Sequence, residues 1–138
     1  MKITEWNGDN QIIVDFYKTC DYEYHPKDGE KVIVAQDDNK VFGVVRLSWE
    51  DGLTQLRGMQ IHPIFQGKGI GKEMLKEVEK FIKDNECYLV GYPHLEKFYG
   101  LIGFKTVSFD KVPLIIKERY SNAKKRFPKT EFCIMKKI

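Results

Sequence analysis

Seven consecutive residues, Gln66-Gly67-Lys68-Gly69-Ile70-Gly71-Lys72, carry the clearest chemical signal in the chain. Glycines let a backbone turn tightly and approach a ligand, and the free N–H groups that open a helix attract anions. Between a strand and a helix, such a segment is a phosphate cradle. Spacing argues against two better-known cradles. A P-loop needs Gly-Lys followed by Ser or Thr, whereas Gly71-Lys72 is followed by Glu73. A dinucleotide fingerprint beginning at Gly67 needs Gly or Ala at Lys72, and belongs early in a βαβ unit. Cys20, Cys87 and Cys133 are widely separated, form no CxxC pair and have no clustered histidines. No metal site is expected from them, and they read as reduced, inert thiols.

The elements that must position the glycine turn follow from periodicity. Asn10 to Tyr22 reads as a helix, with Ile13, Phe16, Tyr17 and Cys20 at helical spacing. Val32–Gln36 and Val41–Trp49 are β-rich runs joined by the turn Asp37-Asp38-Asn39-Lys40, which predicts an antiparallel hairpin. From Leu53 to His62 a third strand alternates, with Gln55, Arg57, Met59 and Ile61 expected on one face. After Pro63 the period becomes helical: Ile70, Met74, Leu75, Val78, Phe81 and Ile82 form one apolar stripe. Cys87–Gly91 reads as a short buried strand, His94–Gly100 as a helix, and Phe104–Ser108 and Thr130–Lys136 as strands; residues 109–129 between them are ambiguous, although Leu114–Arg126 could form a helix. This order predicts an α/β (α+β) fold, a mixed sheet with helices packed on it.

A chain of 138 residues with 42% hydrophobic and 31% charged side chains fits one domain spanning residues 1–138 and excludes disorder and low complexity. Its aliphatic runs are too short to cross a bilayer, and the N-terminus lacks the pattern of a secretory signal, so a cytoplasmic protein without a membrane partner is expected. Residues 117–138 carry eight Lys/Arg against two Glu, set against a whole-chain net charge of only +3. No aromatic-basic recognition motif accompanies this basic tail, which argues against a nucleic-acid partner.

The glycine segment matches Q/R-x-x-G-x-G/A and resembles the pyrophosphate-binding signature of the GNAT superfamily of N-acetyltransferases. Ile61-His62-Pro63 is similar to the V-x-P that ends the family's fourth strand, and Phe98-Tyr99-Gly100-Leu101-Ile102-Gly103-Phe104 to its Y-x-x-x-G-F. The resemblance implies a mostly antiparallel sheet of about six strands, flanked by helices and splayed between strands four and five. It implies acetyl-CoA as cosubstrate, without a metal, and a primary amine as acceptor. Pyrophosphate would lie on the amides of Gly67, Lys68, Gly69, Ile70, Gly71 and Lys72, with Gln66 supporting the turn. The pantetheine arm would pair with the backbones of Met59, Gln60 and Ile61 on one side and Leu89 to Gly91 on the other. Sheet-edge homodimers are common among relatives, and the sequence leaves the oligomeric state open between such a homodimer and a monomer.

Acetyl transfer to an amine needs a neutral nitrogen, a donor to the carbonyl oxygen as it gains charge, and a proton for the departing thiolate. A backbone N–H of Met59 or Ile61 would serve the oxygen. The resemblance places Tyr99 as the general acid. A base is less legible: Gln55 and Arg57 stand where relatives carry glutamate or histidine, and neither side chain is a useful base. His94, ahead of the Tyr99 helix, is a candidate catalytic residue lining the acceptor end. Glu50, Asp51, His62 and a water chain are the others. The missing base also leaves open a non-catalytic acyl-CoA-binding or sensing module.

Overall fold

All strands pair into one sheet. The computed structural model describes residues 1–38, 40–82 and 86–138, so Asn39 of the expected hairpin turn lies outside the described residues. In chain order the elements are β1 (Lys2–Glu5), α1 (Asn10–Thr19), β2 (Lys31–Asp37), β3 (Lys40–Glu50), β4 (Leu53–Ile61), α2 (Ile70–Glu79), β5 (Cys87–Gly91), α3 (Glu96–Gly100), β6 (Phe104–Val107), α4 (Leu114–Arg126) and β7 (Cys133–Lys137). The sheet order is β1-β2-β3-β4-β5-β7-β6, antiparallel throughout except for the β4–β5 pair, which α2 joins as a crossover. This is the expected mixed, mostly antiparallel sheet with one more strand than the six anticipated. The addition is β1, which sequence periodicity did not reveal: four residues with a single half-buried side chain, Ile3, carry no alternation to read.

Alternation along the strands separates two helical layers. Ile33 and Ala35 of β2 face α2, where Met74, Leu75 and Val78 are fully buried. Val32 and Val34 face Ile13, Phe16 and Tyr17 of α1. On that second face, α4 packs Ile116 against Leu53, Tyr88 and Ile134. Burying an aliphatic side chain of this kind contributes roughly 1.5–3 kcal/mol, so α2 is held mainly by its apolar stripe.

Three boundaries differ from expectation by three residues, each for a local reason. The Asp9 carboxylate caps α1 by accepting from the Gln11 N–H at 2.9 Å. The helix ends at Thr19 rather than Tyr22 because Asp21 takes a positive φ of 54° and the Tyr22 N–H returns to the Tyr17 carbonyl at 2.9 Å. The stripe of α2 continues past Glu79, but Phe81 and Ile82 donate to carbonyls three residues back, a tighter winding than the α-helix. β7 begins at Cys133 rather than Thr130, because pairing with β5 starts only at Cys133↔Gly91.

Candidate active site

A single bulge in β4 creates the site. β3 and β4 pair from Glu50↔Leu53 to Arg46↔Arg57 and resume at Val44↔Gln60, so β4 spends one extra residue there. Gly58 makes that turn with a φ of +61°. A Cβ at this position would fall 2.7 Å from the Tyr17 hydroxyl, which only glycine avoids. A bulge shifts the pleat by one residue. Gln55 and Arg57 therefore face the α4 side, while Met59 and Ile61 pack into the core beneath α2. The expectation that all four share one face is corrected by this bulge.

The same distortion parts β4 from β5. Their parallel pairing is confined to Thr54↔Cys87 and Gln55↔Tyr88. Beyond it opens a cleft of about 1000 Å³, with Gly58, Met59 and Gln60 on one wall, Val90 and Gly91 on the other, and Tyr99 and Arg119 reaching in. Two backbone segments expected to flank a ligand, around residue 60 and residue 90, thus stand on opposite walls. Ile61 lies just outside: its carbonyl accepts from the Gln66 side-chain amide at 3.0 Å, which ties the glycine turn to the end of β4.

The bulge is braced from the α1 side by a charged cluster. The Tyr17 hydroxyl donates to the Gly58 carbonyl at 2.8 Å and accepts from Arg46 Nε at 3.1 Å. Arg46 also donates to Glu30 at 2.7 Å and to the Tyr22 hydroxyl at 2.8 Å, and lies over the Tyr24 ring at 4.3 Å. Sequence reasoning missed this cluster. Its signal was one arginine inside the otherwise apolar run of β3.

The glycine turn precedes α2. Gly69 is the residue before the helix, in the left-handed region at φ +80°, and the first helical hydrogen bond runs from the Glu73 N–H to the Gly69 carbonyl at 3.2 Å. The amides of Ile70, Gly71 and Lys72 therefore point out of the helix end. Among the described residues, none beyond the immediate chain neighbours lies within 4 Å of where a Cβ would stand on Gly67 or Gly69, so this surface is open to a ligand. Gly71 answers a packing need: a Cβ there would meet the Phe98 ring at 3.1 Å. Ile70 is buried in the core, Lys68 lies over the Phe65 ring at 5.5 Å, and Lys72 is exposed.

Tyr99 is only 7% exposed, packed edge-on against Phe98 and Phe104, and lines the cleft. Among the described residues no protein group hydrogen-bonds its hydroxyl. Burial pushes its phenol well above the usual range, with the Arg119 charge drawing it partly back. His94 is exposed in the Pro93–Leu95 turn and stacks on Tyr92, itself on the cleft wall. Glu50 and Asp51 lie at the β3–β4 turn, the closed end of the splayed pair. His62 accepts from the Ile64 N–H at 3.2 Å and so caps a short helical turn. The carboxylates that do line the cleft are Asp21 and Glu23. Hydrogen bonds from His25 and Arg126 hold Glu23 below the ordinary carboxylate range.

Several buried acids predict alkaline unfolding. Burial pushes Cys87, Tyr24 and Tyr88 up to about 12, and Tyr17 and Tyr99 higher still. In the unfolded chain the phenols ionise near about 10 and the thiol near about 8.5. The unfolded state then binds fewer protons, so stability is fully present below about pH 8.5 and lost as pH climbs through about 12. Urea midpoints should fall steeply between about pH 8 and pH 11; a flat series would contradict the burial of these groups.

Residues 28–106 match the family model described as an acetyltransferase (GNAT) domain. The chain belongs to the GNAT acetyltransferase family. The matched span holds the bulged strand, the glycine turn and Tyr99. No curated protein matches this GNAT domain by sequence. Among solved structures, an aminoglycoside 6'-N-acetyltransferase complexed with coenzyme A superposes with a TM-score of 0.71 at 14% identity, over 99% of this chain and 96% of that one. A GNAT acetyltransferase from Staphylococcus aureus Mu50 gives 0.67 at 16% identity, over 99% and 97%. The N-acetylglutamate synthase of Neisseria gonorrhoeae, complexed with coenzyme A and N-acetyl-glutamate, gives 0.69 at 13% identity; this GNAT domain spans 34% of its length. Identities this low establish the shared fold. Among the described residues there is no cluster of three metal-ligating side chains and no helix long and apolar enough to cross a membrane.

Proposed function

We propose that this GNAT domain transfers an acetyl group from acetyl-CoA to a primary amine, by direct attack with both substrates bound. One observation carries the reading: Tyr99 lines the cleft between the parted β4 and β5, and Met59 of the cleft wall reaches Gly71 of a glycine turn whose surface is open. That open turn fits a diphosphate, because outward amides at a helix start favour negative charge. The amides of Gly67 to Lys72 would hold it, Gln66 would anchor the turn, and Lys68 and Lys72 would add positive charge. The edges of Met59 to Ile61 and Leu89 to Gly91, unpaired with each other across the cleft, would hold the arm. Bound acetyl-CoA would supply the thioester that the amine attacks.

Within that frame the protein's own groups have distinct tasks. The Met59 N–H, fixed by the bulge, donates to oxygen as charge builds on it. Tyr99 keeps its proton at neutral pH and gives it to the leaving sulfur. The acceptor loses its proton through the cleft mouth, where Asp21 and Glu23 are the nearest carboxylate walls and His94 lies outside on Tyr92.

Calorimetry with acetyl-CoA and measurement of coenzyme A release across an amine panel test the proposal. Absence of binding overturns it. Tight binding without turnover would favour the sensing module, a reading that Gln55 and Arg57 support by standing where relatives hold a base. Gly69→Val places a β-branched side chain at positive φ and over the cradle, a strain of about 1–3 kcal/mol. It should raise the dissociation constant for acetyl-CoA at least about tenfold while helical circular dichroism is retained; unchanged affinity would remove the turn from the binding site.

A further inference from the structure

Two guanidinium groups converge behind the cleft without a counter-charge. Arg119 Nη1 donates to Gln55 Oε1 at 2.9 Å, and Arg57 Nη2 donates to the same oxygen at 3.2 Å. Arg119 Nη2 makes one long contact, 3.5 Å, to the Leu56 carbonyl at the point where β4 leaves β5. Gln55 is fully buried, and among the described residues its side-chain nitrogen has no partner. Among the described residues the arginine ion pairs are Arg46–Glu30 and Arg126–Glu23; Arg57 and Arg119 have none. Glu50 and Glu30 attract Arg57 only from a distance. Burial first, and then repulsion from Arg57, draws Arg119 down to about 9.

A guanidinium removed from water without an anion is costly, and a second one beside it compounds the cost. A structural arginine would be expected to end on a carboxylate, as Arg46 does on Glu30. Arg119 instead presents its charge to the cleft, and its partners, an amide oxygen and a backbone carbonyl, neutralise none of it.

We infer that the acceptor of this enzyme is an amine that also carries a carboxylate, and that Arg119 receives that carboxylate, with Arg57 raising the positive potential behind it through Gln55. This rests on the acetyltransferase reading and narrows it to amino-acid-like acceptors. Arg presents a planar fork that matches a carboxylate in geometry as well as charge.

The test compares ω-amino carboxylates, from β-alanine upward, with the carboxamides of the same chain length, so that the pairs differ in charge and little else. Wild-type kcat/KM should favour the carboxylates by about tenfold or more, the scale of a charged hydrogen bond, and the preferred length reports the distance from Arg119 to the reacting amine. Arg119→Gln should bring the ratio to within about threefold of one, and Arg57→Gln should lower it less. A purely structural Arg119 would depress both acceptor types together and leave the ratio intact, which would overturn the inference. So would a wild-type ratio near one. A second reading needs no turnover: 4-aminobutyrate, but not its carboxamide, should raise the melting temperature of the wild type and not of Arg119→Gln. If acetyl-CoA fails to bind yet this selective shift appears, the anion site stands and the transferase reading falls. If acetyl-CoA is consumed with neutral amines and no selective shift appears, the reverse holds.

Discussion

Tyr99→Phe is expected to lower kcat for acetyl transfer about 100-fold while leaving the dissociation constant for acetyl-CoA within about twofold of wild type. General acids of this kind contribute about 10²–10⁴ in rate, and a hundredfold corresponds to about 2.7 kcal/mol of barrier. The phenol suits the task because burial holds its proton well above neutral pH, and because among the described residues no protein group engages the hydroxyl. Removing one oxygen that packs against no polar partner should change stability little, so the urea midpoint serves as a control. With an amine acceptor that carries no carboxylate, the wild-type rate should keep rising with pH to about 10, as the amine loses its own proton at about 10.4 and Tyr99 keeps its proton. Steady-state release of coenzyme A, paired with calorimetry, checks both parts. Weakened cofactor binding with unchanged kcat would reassign Tyr99 to a packing role.

Arg46→Met should destabilise the fold by about 3–5 kcal/mol. The Glu30 side chain is 5% exposed and that of Arg46 7%, so the substitution strands a carboxylate in the interior and takes a donor from the hydroxyls of Tyr17 and Tyr22. A pair of this kind is often replaceable as a unit. Glu30→Gln combined with Arg46→Met should recover at least half of the loss, a non-additivity that equilibrium urea unfolding of the four species measures directly. Simple addition of the two single effects would show that the pair is uncoupled. The consequence reaches the cleft, because Arg46 orients the Tyr17 hydroxyl that holds the Gly58 carbonyl, and the next amide is that of Met59.

Much of the fold was legible because it depends on local rules. The apolar stripe from Ile70 to Ile82 specifies a helix whatever surrounds it, and the unbroken β-rich runs of β2 and β3 need cover on both faces of a sheet. The span Leu114–Arg126, ambiguous in sequence, is a helix with Ile116 as its one fully buried residue, too few for an apolar stripe to show. The glycine turn declared itself because a left-handed residue before a helix restricts residue type. What stayed hidden depended on contacts distant in sequence. The bulge in β4 has Gly58 as its mark, but a strand glycine also fits a plain alternating strand, and only the register with β3 distinguishes the two.

By itself, then, the sequence determined the element order, the open turn ahead of α2 and the family pattern around Tyr99, since each follows from residues within a few positions of one another. Tertiary structure decided the rest: that β4 and β5 part after two residue pairs, that Arg46 lies among tyrosines, and that Arg119 meets Gln55 across 64 positions of chain. Charges act through space, and which of them remain without a counter-charge emerges only once the layers have closed on the sheet.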